Sequence, residues 1–177
     1  MKVLLINGSP ALISHTKTVL DYLANQCDAV GSNAEIINLS TFGLPINNPV
    51  HHADASLSDN GEVREFASKV ASADCIILGT PLYHGSFSGL LKSALDNLDG
   101  NAFEGKKIIL TSNSAGINNA MQAGNELVVV CRTMYGDVYF RQIGTSKHDF
   151  EKTESGYVIS NQDIIERCNA ILDAVIL

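Results

Sequence analysis

The sequence is short of aromatic residues and of positive charge. It has no tryptophan, its aromatic content is 6%, and its 12 lysines and arginines face 19 aspartates and glutamates, for a net charge of −7. The basic residues form no patch, so we expect neither a nucleic-acid nor a membrane partner. An anionic cofactor is still possible, because helix N-termini and hydroxyls bind phosphate without a basic cluster.

Long apolar runs and paired cysteines are also missing. The opening run ends at Asn7, too early for a signal peptide, and no transmembrane run follows. The cysteines show neither a C-x-x-C pair nor zinc-site spacing; they are Cys27, Cys75, Cys131 and Cys168. A chain of 177 residues, 45% of them apolar, can build a core without disulfides. We therefore expect buried, reduced thiols, a cytoplasmic location and a single domain over residues 1–177.

A metal site is not expected either. His51 and His52 lie in a long polar stretch, residues 40–61, and only Asp54 is near enough in sequence to act as a third ligand. Two solvated loop histidines are the favoured interpretation of the pair. Because long loops in compact domains are often functional, the stretch itself is still of interest.

Short apolar segments alternate with helix-period segments along the whole chain. Strands are predicted at residues 3–6, 34–39, 73–79, 106–111 and 137–144. Helices are predicted over residues 14–26, 90–98 and 120–134, with two more beginning after Asp59 or Asn60 and after Asn161. This order predicts an α/β flavodoxin-like three-layer sandwich, with a five-stranded parallel sheet in the order 2-1-3-4-5 and helices on both faces. Residues 145–160 form a polar, charged segment to which no strand or helix is assigned.

Three loops rich in small, hydroxyl or amide side chains are expected to meet at the carboxyl edge of this sheet. Ligands of doubly wound sheets bind there, where the strand order reverses. The loop after the first strand ends at Ser14 or Thr16, either of which can cap the helix, and it suits a phosphate. The loop at residues 81–86 suits a planar ring, and the loop at residues 113–116 can close over a ring or a ribityl chain.

Other nucleotide and nucleophile motifs fail on inspection. No G-x-G-x-x-G follows the first strand, which argues against a dinucleotide-binding Rossmann site. Residues 100–107 approach a P-loop, but Lys107 stands where Ser or Thr is needed, and a strand follows where a helix should. In the G-S-F-S-G segment the central residue is Phe87, which cannot act as a nucleophile.

Two motifs resemble the NAD(P)H-dependent FMN reductase family. These are GSPALISHT after the first strand and TPLYHGSFSGLLKSALD after the third, and the resemblance extends over essentially the whole chain. The second motif is the more specific, since it matches at Pro81, Tyr83, Ser88-Gly89, Lys92 and Asp96. Lys92 and Asp96 are also four residues apart on one helix, so an ion pair between them is the simpler interpretation.

The resemblance implies FMN as the cofactor, NADPH or NADH as the electron donor and a small-molecule acceptor. Hydride would pass from the nicotinamide to flavin N5 and then to free flavin, a quinone or another acceptor, with no dedicated catalytic acid or base. The family further implies a homodimer or homotetramer. The implied FMN-binding residues are Ser9, Ser14, His15, Thr16, Pro81, Leu82, Tyr83, His84, Gly85, Asn113, Ser114 and Gly116.

One departure from the family pattern concerns the phosphate. The family usually carries arginine at the position of Ala11, so a bidentate phosphate partner is lost. Either His15 or Lys17 replaces it, or FMN binds loosely, as a substrate. Two alternatives to a flavin reductase stay open on the sequence: a non-enzymatic FMN electron-transfer protein of the flavodoxin type, and an enzyme for one small metabolite that holds its flavin tightly.

Overall fold

The computed structural model describes residues 1–48, 50 and 53–176. Its strands are β1 Lys2–Asn7, β2 Asn33–Asn38, β3 Cys75–Tyr83, β4 Ser86–Phe87, β5 Lys107–Ser114, β6 Asp137–Val138, β7 Ile143–Ser146, β8 Phe150–Thr153 and β9 Gly156–Ile159. Its helices are α1 His15–Ala29, α2 Leu39–Phe42, α3 Gly61–Ser72, α4 Gly89–Leu95, α5 Gln122–Thr133 and α6 Gln162–Val175. The predicted caps at Ser14, Asn60 and Asn161 are confirmed, because each side chain accepts a hydrogen bond from the first turn of its helix.

The main sheet has the predicted order and is parallel except for the additional short strand β4, which pairs antiparallel with β3. β1 lies between β2 and β3, and β3 pairs on its other side with β5, which in turn pairs with β6 and β7. The predicted fourth strand is β5. The predicted fifth strand, residues 137–144, is interrupted: pairing stops after Val138 and resumes at Ile143, with Phe140 and Arg141 exposed between them.

Apolar side chains cover both faces of this sheet. Leu4 and Ile6 of β1 point to the layer formed with α3, α4 and α5, whereas Val3 and Leu5 point to the layer formed with α1 and α6. The alternation follows from the two-residue period of a strand. Because both faces are covered, β1 is a continuous apolar run, as strands of parallel sheets typically are.

Residues 145–160 are more ordered than the sequence predicts. β7 ends at Ser146, a 3-10 turn spans Lys147–Asp149, and β8 and β9 form an antiparallel hairpin outside the main sheet. The turn is closed by a capping box in which Ser146 and Asp149 bond to each other's backbone N–H groups. The sequence does not predict this hairpin, because most of β8 is exposed and polar. The contacts that stabilise the hairpin come from α1.

The long loop after β2 begins with the short helix α2 and contains a 3-10 turn at Ala55–Leu57. His51 and His52, considered above as metal ligands, lie outside the described residues. Among residues 1–48, 50 and 53–176, no cluster of three or more histidine, cysteine or carboxylate side chains could hold a metal ion. Within the same residues, no helix has the length and apolar character needed to cross a membrane.

All four cysteines are buried and free of disulfides, as predicted. Burial raises the pKa of the Cys27 thiol to about 11 and those of the other three to about 12. These thiols are therefore protonated and unreactive near neutral pH.

Candidate active site

The loops after β1, β3 and β5 lie at one edge of the sheet because these strands are neighbours. The first loop is bonded to the elements on either side of the second loop: the Gly8 N–H donates to the Gly79 carbonyl of β3 at 2.8 Å, and the Ser88 hydroxyl, at the start of α4, donates to the Gly8 carbonyl at 2.6 Å. A Cβ at Gly8 would lie 2.8 Å from the Cβ of Leu91. Glycine is thus required here for the close approach of β1 to the start of α4.

Ser88 joins these two loops from the side of α4. It is 1% exposed, its backbone N–H donates to the Thr80 hydroxyl at 3.0 Å, and its hydroxyl accepts from the Leu91 N–H at 3.1 Å as the cap of α4. The same hydroxyl is the donor to Gly8. One buried side chain therefore fixes the first loop, the end of β3 and the start of α4 relative to one another.

The first loop presents a row of free backbone donors. Asn7 Oδ1 accepts from the Ser9 N–H, Ser9 Oγ accepts from the Ala11 N–H, and Ser14 Oγ accepts from the Lys17 N–H, at 3.1, 3.2 and 3.1 Å. Between them, the N–H groups of residues 12–16 have no acceptor within the described part of the chain. Because they lie at the N-terminus of α1, where the helix dipole is positive, they form a cradle suited to an anion.

Neither residue 11 nor residue 17 brings a free positive charge to this cradle. Ala11 is exposed and brings no charge. The Lys17 ammonium contacts both carboxylate oxygens of Asp21, at 2.7 Å each, one turn along α1. The donors that the first loop offers to a phosphate are consequently N–H and hydroxyl groups.

His15, the other replacement considered for arginine, is turned toward the β8–β9 hairpin. Its ring stacks on Phe150, with centroids 4.4 Å apart, and packs at a tilt on Tyr157, 4.2 Å away. Burial lowers the pKa of His15, and a hydrogen bond with the Asn113 side chain opposes this change in part. The imidazole is therefore mostly neutral at neutral pH and supplies hydrogen bonds without a full charge.

The second loop is a tight hairpin turn between β3 and β4. His84 and Gly85 occupy the turn with φ of 50° and 87°, the left-handed pair of values typical of two-residue hairpins. The Gly85 carbonyl accepts from the Gln122 side-chain amide at 2.9 Å, which anchors the turn to the first residue of α5. Pro81 and Leu82 are half-buried at the base of the turn.

The third loop closes the site from the other side. Ser114 bonds to the carbonyl of Gly116, and a 3-10 turn at Ile117–Asn119 leads toward α5. Tyr83, Ile117 and Met121 are 46%, 71% and 41% exposed and give this edge an apolar rim. Such a rim suits one face of a planar ring.

The three loops together fit FMN. The cradle matches a phosphate, the amide and hydroxyl groups match a ribityl chain, and the rim matches an isoalloxazine ring. The site residues predicted from the sequence lie on these loops, at the carboxyl ends of β3 and β5, or at the first turn of α1. Sequence reasoning missed Gln122, Thr145, Phe150 and Tyr157, which reach the site only through tertiary contacts and carry no local motif.

Comparison with known proteins agrees with this geometry. Residues 1–147 match the family described as NADPH-dependent FMN reductase. The FMN-dependent NADPH-azoreductase of Staphylococcus saprophyticus is 32% identical over 99% of this chain and 94% of the relative. The FMN-dependent NADPH-azoreductase of Staphylococcus aureus is 34% identical over the same shares of the two chains, 99% and 94%.

Solved structures show the same fold. An NADH:FMN oxidoreductase (EMOB) in its apo form matches with a TM-score of 0.78 and 21% identity, over 98% of this chain and 87% of that one. An FMN-dependent NADH-azoreductase from Bacillus anthracis in complex with FMN matches with a TM-score of 0.67 and 14% identity, over 98% and 97%. With the family match and the azoreductase relatives, these observations show that the chain belongs to the NADPH-dependent FMN reductase family and is an NAD(P)H-dependent flavin oxidoreductase.

Proposed function

We propose that this chain binds FMN at the three loops and delivers electrons from NADPH to a small aromatic acceptor, an azo compound or a quinone. The observation that carries the proposal is the cradle of free N–H groups at residues 12–16 on the same sheet edge as the apolar rim of Tyr83, Ile117 and Met121. The names of the relatives, FMN-dependent NADPH-azoreductases, support the donor and the acceptor class.

We assign four residues to the phosphate end of the site: Ser9, Ser14, His15 and Thr16. Thr16 is 3% exposed, and its hydroxyl makes no hydrogen bond within the described residues, so it is available as a donor to phosphate. Backbone N–H groups of residues 12–16 hold the phosphate by hydrogen bonds directed along the dipole of α1.

Residues of the second and third loops are assigned to the ring. One side of the ring is assigned to the second loop, with Pro81, Leu82, Tyr83, His84 and Gly85. The other side is assigned to the third loop, with Asn113, Ser114 and Gly116. FMN, when bound, supplies hydride acceptance from the nicotinamide and electron transfer to the acceptor. The protein orients the ring, excludes water with its apolar rim, and donates backbone N–H groups near Gly85 and Ser86 toward negative charge.

The test uses protein purified without added flavin. Its visible spectrum is recorded, FMN is titrated in, and NADPH and then an azo dye are added anaerobically. We expect FMN to bind, the flavin absorbance to bleach with NADPH and to recover with the dye. Binding of FMN without bleaching would favour the electron-carrier alternative, and absence of binding would refute the assignment of the site. The colour before titration tells a prosthetic group from an exchangeable flavin.

A matched pair of variants locates the phosphate. Thr16→Ala removes a hydroxyl from the cradle, whereas Thr133→Ala removes one from the exposed end of α5, where it bonds to the Val129 carbonyl. We expect the first change to weaken FMN binding about tenfold, as for loss of a hydrogen bond to a charged group, and the second to leave it unchanged.

We also propose that the chain forms homodimers, or homotetramers built from them, in the cytoplasm. A groove between α4 and α5 has an apolar floor that includes Leu95, Leu98 and Met134, and Val129 beside it is 68% exposed. Surfaces of this kind are typical of subunit contacts. Unpaired buried cysteines and the use of NADPH support the location. Light scattering on the eluting protein tests the oligomer, and a monomer would contradict it.

A further inference from the structure

The β8–β9 hairpin lies against the phosphate end of the site, although it supplies none of the groups assigned to FMN. It follows residues 1–147, the part of the chain that matches the family. Its base is fixed, because the Ser160 N–H donates to the Asp149 carbonyl at 2.9 Å and Asn161 Nδ2 donates to Asp149 Oδ1 at 2.6 Å. Phe150, at its start, is 9% exposed and belongs to the apolar layer formed with α1 and α6. The hairpin is therefore anchored to the core.

Two contacts join this hairpin to the phosphate cradle. The ring of His15 packs on Phe150 of β8 and on Tyr157 of β9, with centroids 4.4 and 4.2 Å away. A Cβ at Gly156, the first residue of β9, would lie 3.3 Å from Cγ2 of Ile13, so the Ile13 side chain lies next to the backbone of the hairpin. His15 and Ile13 both belong to the cradle. The hairpin consequently contacts the cradle at two positions, two residues apart.

Within the described part of the chain, the tip of the cradle has little else to fix its shape. Leu12 and Ile13 are 67% and 62% exposed, so burial of their side chains holds them only weakly. The side-chain hydrogen bonds of this loop go to the N–H groups of Ser9, Ala11 and Lys17, which flank the cradle. The N–H groups of the cradle itself gain no hydrogen bond in the protein, and they need support from packing to stay aligned.

Alignment matters here because the loop has no arginine. An arginine brings a full charge and two parallel hydrogen bonds to a phosphate, whereas Ala11 brings neither. The affinity for phosphate then depends on how well the N–H donors are aligned before the ligand binds, since ordering a loop on binding costs free energy.

We propose that the β8–β9 hairpin supports the phosphate cradle, and that Phe150 and Tyr157 are positioning residues that act through the ring of His15. The two rings fix the first residue of α1 and, with it, the backbone N–H groups on either side. This inference rests on the proposed function, in which the cradle holds the phosphate of FMN. The phosphate is bound through N–H and hydroxyl groups, and the imidazole of His15 serves to hold the loop against the hairpin.

The test compares binding of FMN with binding of riboflavin, which lacks the phosphate. Dissociation constants for both flavins are measured by quenching of flavin fluorescence, and the melting temperature of each variant is recorded. Tyr157→Ala removes one of the two rings that hold His15. We expect it to weaken FMN about tenfold and riboflavin less than about twofold, because only the phosphate contacts the cradle.

Tyr139→Ala is the matched control. Both tyrosines are half-buried against the same apolar layer, but Tyr139 lies between β6 and β7 and packs on Phe140, with ring centroids 4.8 Å apart. We expect a similar fall in melting temperature for the two alanine variants, and unchanged affinity for both flavins in Tyr139→Ala. Tyr157→Phe, which keeps the ring, should retain most of the affinity for FMN.

Changes at His15 separate the ring contact from a direct bond to phosphate. His15→Ala removes the ring that packs on the hairpin and should weaken FMN as Tyr157→Ala does. His15→Phe keeps an aromatic ring against Phe150 and Tyr157 but has no N–H group and no charge. We expect it to recover most of the affinity that His15→Ala loses.

The outcomes separate this inference from the proposed function. If His15→Phe weakens FMN as much as His15→Ala does, the imidazole itself binds the phosphate and the inference is overturned. It is also overturned if Tyr157→Ala weakens both flavins equally, or lowers the melting temperature with both affinities unchanged, since the hairpin then acts on the whole fold and not on the cradle. If the wild-type protein binds neither flavin, the proposed function itself fails, independently of any variant.

Discussion

Replacing Ser88 by alanine tests how the first loop is attached to the start of α4. The hydroxyl of Ser88 makes two buried hydrogen bonds, as donor to the Gly8 carbonyl at 2.6 Å and as acceptor from the Leu91 N–H at 3.1 Å. Alanine removes both while it adds no atoms, so the backbone has no steric reason to move. The expected effect is a loss of stability together with weaker binding of FMN.

The magnitude follows from the two bonds. Loss of a serine helix cap costs about 1 kcal/mol. The Gly8 carbonyl is buried, and without Ser88 it has no donor among the described residues, which adds about 1–3 kcal/mol. A total of about 3 kcal/mol lowers the melting temperature of a domain of this size by about 6–12 °C.

Urea denaturation monitored by circular dichroism measures this change. We expect a lower midpoint with an unchanged slope, because the surface exposed on unfolding stays the same. Ser72→Ala is the matched control, since Ser72 is exposed at the end of α3 and its hydroxyl bonds, among the described residues, only to the Lys69 carbonyl. A loss below about 0.5 kcal/mol for Ser88→Ala, as for ordinary surface substitutions, would refute the role assigned to the hydroxyl.

Three further predictions concern charge, thiols and pH. Ala11→Arg should tighten FMN binding about tenfold and leave riboflavin binding unchanged, since it adds a charge-assisted bond to the phosphate alone; equal effects on both flavins would contradict this. In the native protein, a thiol reagent at pH 8 should label no cysteine within minutes, whereas all four should react in denaturant, because burial raises the pKa of each thiol to about 11 or 12. For Asp149, burial alone would raise the pKa, but hydrogen bonds from Ser146 and Asn161 outweigh it, and the pKa in the folded state is lowered. The contribution of the Asp149 carboxylate to the free energy of unfolding is therefore complete above the pKa of the unfolded state, about 4. It is lost as the pH falls through the lower pKa of the folded state. Asp149→Asn should cost about 1–2 kcal/mol at pH 7 and less at about pH 3, below the unfolded pKa, as measured by urea denaturation at both pH values.

The sequence by itself determined the sheet order and the three loops at its carboxyl edge. Strands buried on both faces must be apolar throughout, so β1, β3 and β5 were visible as short apolar runs, and polar loop residues followed each of them. Caps such as Ser14, Asn60 and Asn161 could be predicted because a cap acts on N–H groups only two or three residues away. The ion pair of Lys92 with Asp96, 2.6 Å long, is local in the same sense.

Only the tertiary structure decided which groups of the site act together. The hairpin of β8 and β9 carries little apolar pattern of its own and is held by contacts of Phe150 and Tyr157 with His15, far away in the chain. Gln122 reaches Gly85 across 37 residues. No fixed spacing in the sequence identifies such pairs, because a side chain can bond to any partner that folding brings within about 3 Å. The loops of the candidate site were therefore predictable from local patterns, and the contacts that orient them were decided by packing.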